Sequence, residues 1–418
     1  MTKTKILFIS QCFPLPLDGG GKIKTFNTLQ TLAQAYDVFA VFISERSVSQ
    51  QQLQAMAKLG IKCKVFKATG MSENIKNNYW RLAWNYLQLR PHFVYQYRFP
   101  PAQRYIKHKI DRWQPHIIHV DHINSSQFLP KKNWLKKHCR QQATLILENH
   151  NVDHYLFATR FRHSKKLIRK LYLFLEGHLN QLYGWLNYPR YDHILSISKR
   201  ESRYLRQLNQ SVIDQPLIYP LTKVKQHKQK HYDVLFIGHL EWPPNEVALQ
   251  WLIGEVWPLV LKKLPQLKLH IVGKEGLRLV KLKDQAGVVF HGYQADINPF
   301  LASSKIFVLP FHTGSGVRIK ALTALQNGIP LVSTSLGVDG LELIANQDFL
   351  LANSAKGFAQ AIEQLIIQPE LAKRYGQAGQ IYFQQHHSLK QQQQLLDIYR
   401  QLSPTATIVA SSKAKPGN

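Results

Sequence analysis

Two separate series of short apolar runs, alternating with segments of helical periodicity, constrain this 418-residue chain more than any other feature. The first series holds Lys5–Ser10 (KILFIS), Asp37–Ile43 (DVFAVFI), Lys62–Phe66, His116–Val120, Thr144–Leu147 and Tyr191–Ser198 (YDHILSIS). Their length and β-branched or aromatic content predict strands, most of them buried on both faces. Phe26–Ala35 and Gln50–Leu59 read as intervening helices. The second series begins at Asp233 and holds Val234–Gly238, Leu269–Gly273, Val288–Gly292, Ile306–Pro310 and Leu331–Thr334, with helices over Asn245–Leu264 and about Gly316–Asn327. Strands spaced by helices make βαβ units and parallel sheets. Two such series predict two α/β domains, as the chain length also does.

The polar, Lys/Gln-rich stretch Asn209–His231 reads as a linker. It bounds a first domain at 1–208 and a second at 232–385. A helix over 386–402, including Ser388–Leu402 (SLKQQQQLLDIYRQL), follows. The Ser/Ala/Lys/Pro/Gly-rich end, 403–418, reads as a disordered tail.

Charge narrows the partners. Lys and Arg number 54 against 25 Asp and Glu, a net charge of +29. That field favours anions: a phosphorylated substrate, lipid headgroups or nucleic acid. No helix-turn-helix, zinc or RNA-recognition signature accompanies it, so nucleic acid is not expected. Ser164–Asn187 is apolar-rich and opens with Lys165, Lys166, Arg169 and Lys170. Lys131–Arg206 carries 16 Lys/Arg against 5 Asp/Glu. This is either a solvated helix face over a core or a basic amphipathic surface for anionic lipid. Three scattered cysteines form no metal pattern and fit a reducing compartment. MTKTKILFIS runs straight into a strand without a leader-like core, and no run of about 18 apolar residues occurs. The expected location is the cytoplasm, peripherally on a membrane's inner face.

Three segments carry candidate chemistry. In Pro14–Lys22 (PLPLDGGGK), Gly19, Gly20 and Gly21 allow close backbone approach to a ligand, and the next helix offers its N-terminus to phosphate. In His116–His122 (HIIHVDH), Asp121 and His122 fall at the carboxyl end of a strand, where open parallel sheets bind ligands. Glu148–Asp153 (ENHNVD) occupies the same place one strand later. In Thr313–Gly328 (TGSGVRIKALTALQNG), a Gly-Ser-Gly turn opens a helix, and Arg318 and Lys320 sit in its first turns as a clamp for a diphosphate. No His/Cys/Asp/Glu group has convincing metal spacing.

These residues bring a family into view. VLFIGHLEWPPNEVALQWLIGEVWP, LHIVGKEG and VVFHGYQADINPFLASSKIFVLPFHTGSGVRIKALTALQNGIPLVSTSLGVDGLEL cover most of Asp233–Leu343 in order. They resemble retaining glycosyltransferases of family 4, also called group 1, of the GT-B fold. KILFIS, PLDGG, IIHVDH, ENHNV and YDHILSIS match more loosely. The resemblance implies two Rossmann-like parallel-sheet domains facing across a cleft, the first binding acceptor and the second a nucleotide-sugar, with a C-terminal crossover helix. It implies donor contacts at Gly19, Gly20, Gly21, Gly238, His239, Gly273, Ser315, Gly316 and Thr323. It also implies catalytic roles for Arg318, Lys320, Asp121 and His122. The activity so implied is retaining transfer of a sugar to a glycan or lipid-linked acceptor in bacterial cell-surface polysaccharide synthesis. The nucleotide-sugar is a co-substrate, and neither a cofactor nor a metal is expected. One departure matters. The family's Glu on the donor ribose is Thr323 here, a loss of about 1–3 kcal/mol if nothing replaces a charged hydrogen bond. A catalytically weak or inactive homologue that scaffolds polysaccharide assembly is the alternative.

Overall fold

The strand runs pair into two all-parallel sheets. A computed structural model describes residues 3–17, 19–45, 47–68, 79–140, 142–164, 166–215, 217–219, 224–227, 229–274, 284–314, 318–387 and 389–402. The chain divides into Met1–Ile218 with Leu389–Asn418, and Tyr219–Ser388.

The first sheet contains β1 (Lys5–Ser10), β2 (Asp37–Ser44), β3 (Lys62–Lys67), β4 (Ile117–Asp121), β5 (Thr144–Asn149), β6 (His193–Ser196) and β7 (Val212–Asp214), in the order β3-β2-β1-β4-β5-β6-β7. Side-chain alternation splits β1 between two cores. Ile6 and Phe8 enter one, Leu7 and Ile9 the other, so both faces are dry. The helix Leu389–Leu402 completes one face: Leu395, Leu396, Ile398 and Tyr399 pack with Ile6, Phe8 and Ile146. The last helix among the described residues therefore belongs to the first domain.

The second sheet contains β8 (Tyr232–Ile237), β9 (Leu269–Val272), β10 (Val288–Phe290), β11 (Ser304–Leu309), β12 (Leu331–Ser333) and β13 (Leu350–Leu351), in the order β10-β9-β8-β11-β12-β13. Both sheets thus run 3-2-1-4-5-6 from their own first strand, and the first adds a seventh strand at its end. The connections reverse between strands one and four, at β1/β4 and at β8/β11. Ligands of open parallel sheets bind outside the carboxyl ends at that reversal.

Three expectations change. The segment Asn209–His231 is not a plain linker: Val212–Asp214 forms β7, and Gln215 N–H donates to Ser196 O at 2.8 Å. The division falls instead at 218/219 and 388/389. The helix expected from Phe26 begins at Gly20, so Gly20 and Gly21 form its first turn and Gly19 its N-cap. The helix expected over Asn245–Leu264 is broken into Pro243–Trp251, a π turn at Leu252–Val256, and Trp257–Leu261. Pro258 has no N–H to give to the preceding turn, which accounts for the widened register before it. The tail 403–418, together with Ser315 and Gly316, lies outside the described residues.

Candidate functional site

At the β1/β4 reversal the sequence places Ser10 and Asp121 on neighbouring strand ends. Asp121 is buried, and its carboxylate is fully engaged. Oδ2 accepts from Ser10 Oγ and Thr25 Oγ1, each at 2.8 Å, and Oδ1 lies 2.5 Å from His150 Nε2. Burial alone would raise its pKa. His150, then His119 and Lys24, overturn that and hold the carboxyl well below the usual carboxylate range. An ionised Asp121 makes His150 Nε2 the donor and frees Nδ1. That atom stands 3.5 Å from where a Cβ on Gly21 would be. The His150 side chain keeps 12% exposure against 3% for Asp121. Asp121 therefore acts through His150, and His150 is the group with access to a ligand.

His122 follows β4 with a left-handed φ of 69°, uncommon for a residue bearing a Cβ. Its Nδ1 accepts the Asn124 N–H at 3.2 Å, so the proton of the neutral ring sits on Nε2, 3.7 Å from Asp153 Oδ1. Burial, aided by the charge of His150, pushes the His122 pKa down to about 3, and burial pushes Asp153 up to about 7. At neutral pH the ring is uncharged, and the contact with Asp153 is not an ion pair. The two imidazoles meet edge to face at 5.4 Å.

Beneath this edge lies a second buried set. Glu148 Oε1 accepts from Thr28 Oγ1 at 3.0 Å and pairs with Lys24 Nζ at 3.4 Å. Lys24 also donates to Asn149 O at 3.2 Å. Glu148 Oε2 faces His119 Nε2 at 3.3 Å without directed hydrogen-bond geometry. The other nitrogen of His119 bonds the Tyr399 hydroxyl. His119, Asp121 and Glu148 bring three ligand-type atoms within 4.8 Å. Lys24 already supplies a positive charge there, and hydroxyls occupy Asp121 Oδ2 and Glu148 Oε1, which leaves Glu148 Oε2 and His119 Nε2 facing each other without a directed bond.

At the β8/β11 reversal the cations converge. Lys320 Nζ donates to Asn245 Oδ1 at 2.7 Å, and Asn245 Nδ2 donates to His239 O at 2.6 Å. Arg318 Nη2 donates to Thr313 O at 3.1 Å. Both cations lean on Phe311, at 4.7 Å for Arg318 and 5.2 Å for Lys320. The missing side chain at Gly238 leaves room for the amine, since a Cβ there would stand 2.4 Å from Lys320 Nζ, and Gly273 has no room for one, since a Cβ would stand 1.7 Å from Gly238 O. Burial, with Arg318 adding repulsion, pushes Lys320 down to about 7; burial pushes Arg318 to about 10 despite the field of Asp339. Among the described residues neither cation has a salt-bridge partner. The Thr323 hydroxyl is engaged with other partners, 2.6 Å from Tyr219 OH and 3.3 Å from Ile319 O.

The Lys320 shift sets a proton linkage. An anion bound beside this amine raises its pKa again, so binding above about pH 7 must take up a proton, whereas binding below it must not. Calorimetric titration with a nucleoside diphosphate at pH 8, in buffers of different ionisation enthalpy, should report uptake of a sizeable fraction of a proton. At pH 6 it should report about none. Equal values at both would remove Lys320 from the anion site.

The structure therefore brings together Arg318, Lys320, Gly238, His239 and Gly273 in the second domain. In the first it joins Asp121, His122 and the Gly19–Gly21 turn. Sequence reasoning pointed to the segment 148–153 but not to His150, because only the fold shows which polar side chain Asp121 orients.

Residues 231–368 match the family described as glycosyl transferases group 1. A Klebsiella pneumoniae protein named "Uncharacterized 44.6 kDa protein in cps region" is 23% identical over 368 residues, 86% of this chain and 90% of its own. Sucrose-phosphate synthase from Thermosynechococcus elongatus superposes with a TM-score of 0.67 at 17% identity, covering 96% of this chain and 99% of that one. Anabaena HepE in complex with UDP-glucose gives 0.63 at 13%, over 94% and 98%. TarM of S. aureus, in complex with fondaparinux, α-GlcNAc-glycerol and UDP, gives 0.66 at 12%, over 96% and 99%. The fold is GT-B, and with the family match it supports a GT-B glycosyltransferase.

Proposed function

We propose that the chain transfers a sugar from a nucleoside-diphosphate-sugar to a glycan or lipid-linked acceptor, with retention of configuration, in cell-surface polysaccharide synthesis. The observation that carries this reading is the Arg318–Lys320 pair: two desolvated cations that converge on Phe311 at a strand-order reversal, where a bound anion would compensate both charges. Breaking a sugar–phosphate bond puts negative charge on the leaving diphosphate. Donors fixed in advance at that charge lower the barrier without reorganising. Arg318 offers a planar fork and Lys320 a point charge, a combination suited to bridging phosphoryl oxygens. In the first domain, the backbone N–H groups of the Gly19–Gly21 turn and the His150 ring suit a polar acceptor or the donor's phosphate. The oriented His150 suits proton handling at an acceptor hydroxyl, and His122, neutral at physiological pH, suits a hydrogen bond to a sugar. HepE was captured with UDP-glucose, TarM with UDP and a glycan, and the Klebsiella relative is named for a cps region, all of which support the proposed classes.

A weak or inactive scaffold is the second reading, favoured by Thr323, whose uncharged hydroxyl is already paired with Tyr219. Thermal melting with nucleoside diphosphates and nucleotide-sugars, followed by a diphosphate-release assay, separates the two. A true donor at about 100 times its dissociation constant adds about 2.7 kcal/mol to stability and is turned over. Melting points unmoved by every nucleotide would end the transferase reading. A shift without turnover would favour the scaffold.

A further inference from the structure

The helix Leu167–Asn187 is amphipathic in the inverted sense. Its inward face is largely polar: Glu176, Asn180 and Asn187 are buried there with Leu173 and Tyr183. Glu176 points inward for a reason. Its two carboxylate oxygens accept the His92 and Phe93 N–H groups at 2.8 and 3.1 Å, capping the short helix His92–Tyr95. Asn180 Nδ2 donates to the same carboxylate at 3.2 Å. The outward face is apolar apart from His178. Leu167, Ile168, Leu171, Phe174, Leu175, Trp185 and Leu186 are exposed, Ile168 by 87% and Leu186 by 65%. At 3.6 residues per turn they fall on one stripe about 120° wide along a helix about 30 Å long. Trp84, Leu87 and Leu89 are exposed nearby, and Leu89 and Leu186 line one cavity of about 330 Å³ together with Arg90, Lys131 and Arg190.

Charge identifies the occupant. All five acids of Lys131–Arg206 are spent inside the fold. Glu148, Asp153, Glu176 and Glu201 are buried, and Asp192 accepts the Leu145 N–H at 2.8 Å. The surface of this segment is therefore left to its cations, with Lys166 and Arg169 exposed at the N-terminal end of the helix, off the stripe itself. A second copy of the chain would set two such cationic surfaces against each other. No helix among the described residues is long and apolar enough to cross a membrane. We propose that the apolar stripe of Leu167–Asn187 lies in the interface of an anionic lipid bilayer, with a lipid phosphate among Arg90, Lys131 and Arg190 in the cavity beside Leu186. Apolar side chains reach the acyl boundary while neighbouring cations meet anionic headgroups, the two terms that add in interfacial binding. This assignment stands independently of the transferase reading.

Vesicle co-sedimentation of the full chain tests it. The protein pellets with vesicles of phosphatidylcholine and phosphatidylglycerol, stays in solution with phosphatidylcholine alone, and binds less tightly as salt rises. Leu171→Glu and Trp185→Glu, both at exposed positions, weaken partitioning by about tenfold or more with unchanged circular dichroism. Lys131→Glu, at an exposed cation of the cavity, weakens it and flattens the salt dependence. Quenching of tryptophan emission by bromine-labelled acyl chains, reduced in Trp185→Phe, checks insertion without relying on a charge change. Wild-type protein remaining in solution with the anionic vesicles would overturn the assignment. So would Leu171→Glu binding as well as wild type, or a concentration-dependent dimer that Leu171→Glu dissolves.

Discussion

Arg318→Ala and Lys320→Ala are each expected to lower kcat/KM for sugar transfer by about 100- to 1,000-fold, the range typical of a fixed donor removed from a developing oxyanion. The two losses should not add, because both groups serve one leaving group. Arg318→Lys should recover little, since an ammonium cannot reproduce the two-pronged geometry of a guanidinium. Stability should move the other way. In the free protein these cations repel each other and have no salt-bridge partner among the described residues; burial depresses both pKa values, that of Lys320 to about 7. Removing either relieves that cost, so each variant should melt at or above the wild-type temperature. A group retained against stability is what a functional site looks like. Diphosphate release from a nucleotide-sugar, with thermal melting of the same samples, measures both halves. Wild-type turnover in both alanine variants would refute the phosphate clamp, and a marked fall in melting temperature would recast the pair as structural.

Why these cations could be named from sequence, and other groups not, follows from what a local pattern contains. KILFIS, DVFAVFI and TLIL read as buried strands because dense β-branched and aromatic runs have few other uses, and β1, β2 and β5 form there. β7 (VID) and β13 (LL) carry too few residues for any period to register. The turn before Arg318 and Lys320 announces a helix start and its charges within a few residues. The Asp121–His150 pair does not, because it joins strand ends 29 residues apart. Whether Asp121 faces a ligand or is spent on Ser10, Thr25 and His150 is decided by three other segments. Likewise the Leu167–Asn187 pattern shows two faces without showing which is inward; Glu176 settles it by capping a helix 84 residues earlier in the chain. The departure at Thr323 was visible, but its pairing with Tyr219, 104 residues away, was not.

The largest stability effect is expected beneath the candidate site, at Glu148. Replacing it with alanine strands Lys24, which is 3% exposed and keeps Asn149 O as its one hydrogen-bond partner among the described residues, with the Asp121 charge acting from farther off. Breaking a buried ion pair from one side costs about 3–5 kcal/mol, because the surviving charge keeps its desolvation penalty. Replacing both residues with methionine removes that stranded charge and should cost less than Glu148→Ala alone. The pair also makes an acid limb. Burial would raise the Glu148 pKa, but Lys24 and His119 outweigh it and hold the carboxyl at about 2, below its ordinary 4.5. With the folded value depressed, the stabilisation is whole above about pH 4.5 and is lost as pH falls toward 2. Glu148→Gln should flatten the stability profile over that window. Because two domains need not unfold together, the measurement is hydrogen exchange of the β1, β4 and β5 amides between pH 5 and pH 3 rather than one melting curve. Protection that falls equally in wild type and Glu148→Gln would show that the carboxylate contributes no net stability. The surrounding hydroxyls, not the Lys24 charge, would then hold this strand edge together.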